Sequence, residues 1–188
     1  MATEPTIRLA RRADVTTVLN LIKELAAFEN CEDQVEATEG TLLTTLSFEE
    51  TDSIGTSLGN SGYAKTLLIQ SPDGDVAGMA LYFFNYSTWR ARPGIYLEDL
   101  YVRPAYRRRG YAGLLLKELA RRAVEMDGGR LEWACLTWNE NALKFYEGIG
   151  ATKMVEWVGL RVDGEALVKL ASGKEERVLG QDVRIHSE

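Results

Sequence analysis

Apolar side chains at Val18, Leu19, Ile22, Leu25 and Ala26 recur with the spacing of one helix face, and Asp14 ahead of them suits a helix cap. A short strand is expected before this helix over 7–10, and a second short helix over 41–46. The segments 65–70 and 76–86 then predict a hairpin, because Pro72, Asp73, Gly74 and Asp75 between them favour a turn. The run 95–102 is an apolar strand interrupted by Glu98 and Asp99 and closed by Pro104. Alternation of period two sends one of these two acids to the exposed face without saying which. From Gly110 the positions Ala112, Leu115, Leu116, Leu119, Ala123 and Met126 share one helix face, and Gly128 and Gly129 supply the stop. A strand over 131–136, a helix over 141–149, a strand over 155–162 and a helical segment over 165–170 complete the pattern. Strands alternating with helices imply an α/β layer arrangement. The stretch 49–62 has no period and is rich in Ser, Thr, Gly and acids, so it is expected to be a loop.

At 188 residues and 45% hydrophobic composition, the chain is sized for one core. Its net charge of -6 and pI near 5.0 oppose a general nucleic-acid binder, which needs positive charge for the phosphate backbone. Cys31 and Cys135 lack paired zinc-ligand spacing, and the lone His186 cannot complete a site, so no metal is expected. The start of the chain has neither a basic nor an apolar leader segment, and no apolar run reaches membrane-spanning length. The expectation is a soluble cytoplasmic protein, for which the glycosylation acceptor pattern at Asn85, Tyr86 and Ser87 has no consequence.

Against that acidic background, Arg107, Arg108 and Arg109 run directly into a helix N-terminus, which already carries partial positive charge. A bound anion would resolve the conflict, and phosphate is the natural one. Gly55 to Gly59 matches G-x-S-x-G, with Ser57 as nucleophile and His186 as its only base, but the flanking strand and helix of a nucleophile elbow are missing. Neither a dinucleotide G-x-G-x-x-G after a strand nor a P-loop G-K-[ST] occurs. Arg107 through Ala112 instead fits R/Q-x-x-G-x-G/A, in which small residues let backbone N–H groups approach a pyrophosphate.

One strand downstream lie Asn139, Glu140, Asn141, Ala142, Leu143, Lys144, Phe145 and Tyr146, followed by Gly150 and Ala151. The two constellations in this order resemble the GCN5-related N-acetyltransferase (GNAT) superfamily. Leu97 to Val102, Phe28 to Val35 and Trp138 to Glu140 resemble its spermidine/spermine (diamine) and thialysine acetyltransferase branch. The resemblance implies a single GNAT domain over 1–171, with a central, mixed, mostly antiparallel sheet flanked by helices, and leaves 172–188 as a tail without assigned role. It also implies acetyl-coenzyme A as co-substrate and a homodimer.

Acetyl transfer to an amine requires loss of a proton from an ammonium whose pKa is about 10.4 in lysine. Glu98 is the candidate base, with Asp99 as competing choice. The resemblance makes Tyr146 the general acid towards the sulfur, with a strand N–H near Leu100 and Val102 polarising the thioester carbonyl. It assigns the pyrophosphate to the loop amides of Arg108, Arg109, Gly110, Tyr111, Ala112 and Gly113, with Arg107 or a neighbour reaching phosphate oxygens and Asn139 on the pantetheine arm. Glu29, Asp33, Glu98 and Asp99 could attract a cationic acceptor, and Trp89 could wall its ammonium. Polyamine-acetylating relatives carry an acid where this chain has Ser87, which shifts weight towards a short diamine or a thialysine-like amino acid. Acetylation of a protein lysine or N-terminus, and cofactor binding without catalysis, are the alternatives.

Overall fold

Residues 77–82 are an unbroken run of buried side chains followed by alternation over 83–87, and in the computed structural model 76–87 form the long strand on which the sheet is built. The structure describes residues 4–49 and 62–173. Most of the expected 49–62 loop, the Gly55 to Gly59 pattern with Ser57, and the tail beyond Gly173 with His186 therefore lie outside the described residues. The chain divides into two compact units, the first ending at Leu136 and the second beginning at Thr137.

The first unit holds β1 (Thr6–Leu9), α1 (Val15–Glu29), α2 (Glu39–Thr45), β2 (Leu46–Ser47), β3 (Ala64–Gln70), β4 (Val76–Ser87), β5 (Arg92–Val102), α3 (Tyr111–Glu125) and β6 (Leu131–Trp133). The sheet order is β1-β3-β4-β5-β6, with β2 also pairing β3. The β1–β3, β3–β4 and β4–β5 pairs are antiparallel, while β2–β3 and β5–β6 are parallel. The expected mixed, mostly antiparallel sheet is the one observed.

Cross-strand partners share a face. Leu68, Met79, Leu81 and Tyr101 therefore bury together against Val15, Val18, Leu19 and Leu21 of α1. Leu67, Ala80 and Tyr82 alternate to the other side, where α3 packs against β4 and β5 with Leu115, Leu116 and Leu119 buried. Asp14 stands at the cap position of α1, but its carboxylate does not cap that helix. It accepts two bonds from the Arg8 guanidinium, at 2.6 and 2.8 Å, and one from the Arg11 N–H at 2.7 Å. The Arg8 cation holds the Asp14 carboxyl below its ordinary value.

Gly78 pairs with Val102, and a Cβ there would lie 2.3 Å from the Tyr101 carbonyl oxygen of β5. Gly78→Ala is expected to cost about 2 kcal/mol, because the clash is with backbone and one strand must move. The urea midpoint checks this; an unchanged midpoint would show that β4 shifts freely.

The second unit contains α4 (Glu140–Gly148) and α5 (Gly164–Ser172). The expected strand over 155–162 does not form. The Trp157 N–H donates to the Met154 carbonyl at 3.2 Å, turning the chain there, and Val155 and Leu160 are 85% and 94% exposed. Apolar, β-branched composition fits a strand only where a neighbouring strand takes its hydrogen bonds, and the described residues of this unit contain none. The strand expected over 131–136 ends at Trp133 for the same reason: its pairing with β5 stops at Leu97.

Candidate functional site

The interruption in β5 is a β-bulge. Leu81 pairs with Asp99 and Tyr82 with Leu97, so Glu98 is the extra residue. This overturns simple alternation, which would have put the two acids on opposite faces. Leu81 and Phe83 lie on one face of β4, and their partners Asp99 and Tyr96 lie on that same face. Counting by twos from Tyr96 places Glu98 there too, so the bulge gathers both acids on the α1 side. It also releases local backbone N–H groups from the ladder, at the point where Leu100 and Val102 continue the strand.

Asp99 is half-buried, and its carboxyl is pushed up to about 6, first by burial and then by the charges of Glu98 and Glu29. Glu29, the last residue of α1, is itself raised by burial. Burial, and secondarily Glu29, also pushes up the Cys135 thiol. Crowded carboxylates in a partly desolvated place favour a bound cation or a held proton. Asp33 lies on an exposed 3-10 turn, Glu32–Gln34, and is not among the charges raising Asp99. Trp89 is 90% exposed in the turn between β4 and β5. Roughly 23 Å of strand separates Arg92, just past that turn, from Asp99, so the fold does not bring Trp89 to the acids. Ser87 is buried and its Oγ accepts the Arg90 N–H at 3.4 Å, so it shapes that turn.

At the other end of β5 the chain makes a 3-10 turn, Pro104–Tyr106, before α3. Arg108 (φ 61°) and Gly110 (φ 79°) are left-handed, which turns the chain into the helix at its N-cap. The first helical bond runs from Leu114 N–H to the Gly110 carbonyl at 3.0 Å, so the N–H groups of Tyr111, Ala112 and Gly113 have no acceptor within the helix. A Cβ at Gly110 or Gly113 would meet no atom within 4 Å, leaving this helix end open to a ligand. The guanidinium of Arg107 lies 5.0 Å from the centre of the Phe28 ring, and that of Arg109 lies 5.4 Å from that of Tyr106. The open N-terminus, the two left-handed residues and the local cations fit the phosphates of a coenzyme. A surface cavity of about 250 Å³, lined by Lys65, Tyr82, Phe84, Arg122, Glu125 and Met126, is at the opposite end of α3, so concavity alone would misplace the site. Among the described residues no cluster of three or more His, Cys, Asp or Glu could hold a metal, and no helix is long and apolar enough to cross a membrane.

In the second unit, Asn139 caps α4, its Oδ1 accepting the Ala142 N–H at 3.2 Å. Tyr146 is half-buried on the same helix, with its ring 5.4 Å from that of Phe145. Its carbonyl accepts the Ala151 N–H at 3.0 Å, which fixes the helix end.

Residues 29–151 match the Acetyltransferase (GNAT) family. The chain belongs to this family. As a GNAT protein it is an acetyl-coenzyme A-dependent N-acetyltransferase, and the match spans both the arginine loop of the first unit and the Asn139 to Tyr146 helix of the second. The GNAT relatives it is similar to include the thialysine N-epsilon-acetyltransferase of Bos taurus, 37% identical over 88% of this chain and 96% of that protein. They also include the L-ornithine N5-acetyltransferase of Arabidopsis thaliana, 34% identical over 86% of this chain and 85% of that one. These likenesses fall in the thialysine and spermidine/spermine branch of the GNAT superfamily. A solved integron cassette protein from V. cholerae shares the GNAT fold, with TM-score 0.69 and 24% identity over 91% of this chain and 98% of its own.

The structure brings Glu29, Glu98 and Asp99 into one neighbourhood and leaves Trp89 beyond the far end of β5. The bulge was missed from sequence. Its signal was present in two adjacent acids within an apolar strand, a pattern that strict alternation cannot accommodate.

Proposed function

We propose that this protein transfers the acetyl group of acetyl-coenzyme A to a primary amine of a small cationic acceptor, a short diamine or a dibasic amino acid of the ornithine or thialysine type. The observation that carries the acceptor class is the gathering of three carboxyl groups, Glu98 and Asp99 at the bulge and Glu29 at the end of α1. The relatives named for thialysine and ornithine support it.

Acetyl-coenzyme A supplies the thioester. The free N–H groups of Tyr111, Ala112 and Gly113 and the charges of Arg108 and Arg109 receive its phosphates, and Asn139 donates to the pantetheine arm. Glu29 and Glu98 draw the ammonium in, and Asp99 takes its proton, directly or through water. A backbone N–H beside the bulge, near Leu100 or Val102, polarises the carbonyl. Tyr146 gives the departing sulfur its proton, as a phenol of pKa about 10 can. The domain so used is 1–171, and we assign the protein to the cytoplasm as a homodimer. Exposed Val155, Trp157, Val158 and Leu160 support an assembly that covers them.

A coupled thiol-release assay over diamines, ornithine, thialysine, spermidine and lysine peptides tests this. Turnover is expected to be fastest with a diamine or dibasic amino acid. Preference for peptides would assign a protein acceptor instead, and acetyl-coenzyme A binding without turnover of any amine would overturn catalysis.

A further inference from the structure

Arg107 is engaged by the protein itself. Its Nε donates to the Val102 carbonyl at 2.9 Å, and its guanidinium lies 5.0 Å from the centre of the Phe28 ring and 5.7 Å from that of Tyr101. Val102 ends β5, three residues past Asp99, while Phe28 is followed by Glu29 at the end of α1. Arg103 makes a second connection one helical turn earlier. It donates to the Glu24 carboxylate through Nε at 3.0 and 3.1 Å and Nη2 at 2.8 Å, and to the Val76 carbonyl through Nη1 at 2.9 Å. The last two turns of α1 are thus tied to the strand–loop junction twice, through a charge pair at Glu24 and through a stacked ring at Phe28.

Building on the acetyl-transfer reading, we infer that Arg107 is a positioning residue for the acceptor: it fixes Phe28, and with it Glu29, relative to Asp99. Arginine suits this task because its Nε–H can donate in the guanidinium plane while the flat face stacks on an aromatic ring. Lysine keeps the charge but has neither the fork nor the face. Phosphate recognition then belongs to the backbone N–H groups of the helix start and to Arg108 and Arg109. The motif position that composition would assign to the cofactor serves the other substrate.

The test uses the full-length protein and the variants Arg107→Lys, Phe28→Leu and their combination. Acetyl-coenzyme A Kd is measured by calorimetry, and the KM for thialysine at saturating acetyl-coenzyme A. Arg107→Lys is expected to raise the thialysine KM about tenfold, with the acetyl-coenzyme A Kd changed by less than about twofold. Phe28→Leu should shift the same KM in the same direction, and the double variant should be no worse than the weaker single, because one contact is removed twice. A raised acetyl-coenzyme A Kd with unchanged thialysine KM would make Arg107 a phosphate ligand and overturn the inference. Additive effects would overturn it too. If Arg107→Lys fails to fold, Phe28→Leu decides alone, since an unchanged thialysine KM in that variant removes the link. Wild-type protein that binds acetyl-coenzyme A but acetylates no amine overturns the functional reading itself, a result distinct from all of these.

Discussion

Asp99→Asn is expected to lower kcat/KM for the amine by about 100- to 1,000-fold, the range for removal of a general base, and to leave acetyl-coenzyme A binding unchanged. Asparagine keeps the size of the side chain and cannot accept the proton. The pH profile separates this from a structural effect. In the wild type the Asp99 carboxyl sits at about 6 because burial, and then Glu98 and Glu29, disfavour its charge. Below that pH it already holds a proton and cannot take one from the ammonium; above it the carboxylate is free to act. The wild-type kcat/KM is therefore expected to fall about tenfold per pH unit below roughly pH 6, with this acid limb missing in Asp99→Asn. Glu98→Gln removes one of the charges raising Asp99, so the limb should move to lower pH with a smaller loss of rate. If Glu98→Gln abolishes the limb and Asp99→Asn keeps it, the base is Glu98.

Tyr146→Phe is expected to lower kcat by about 100-fold with little change in the Kd for acetyl-coenzyme A, because only a proton delivered during bond cleavage is lost. The leaving group offers a second readout. A thioester of a more acidic thiol needs less help from an acid, so the defect should shrink with such a donor. Equal turnover by wild type and Tyr146→Phe would remove the phenol from the reaction. A variant that loses cofactor affinity instead would make Tyr146 a packing residue, in keeping with its half-buried place next to Phe145 on α4.

Helical periodicity over Val18 to Ala26 and Leu115 to Ala123 found α1 and α3 because an amphipathic face is a local property: each apolar position is three or four residues from the next. The β3–β4 hairpin was legible for a similar reason, since its turn chemistry is contained in four residues. Local cues failed where a partner decides. Residues 155–162 carry strand composition without a strand, because strand formation depends on a neighbour that composition does not reveal. Asp14 looked like a cap, yet a guanidinium six residues away took its carboxylate. Trp89 and Asp99 were grouped because an aromatic face and a carboxylate both suit an ammonium, and the length of β5 holds them apart.

By itself the sequence determined most of the order of elements through α4 and the acetyltransferase family. Each rests on residues close together in the chain or on the order of short motifs. Only the tertiary structure decided which acids meet. A one-residue bulge opposite Leu81 and Tyr82 turned Glu98 and Asp99 to the side of α1, where burial, and then the charges of Glu98 and Glu29, disfavour a charge on Asp99. It also showed Arg107 bonded to Val102 and stacked on Phe28. Register and long-range electrostatics are properties of paired strands and packed helices, and one residue's slip in either rearranges every side chain beyond it.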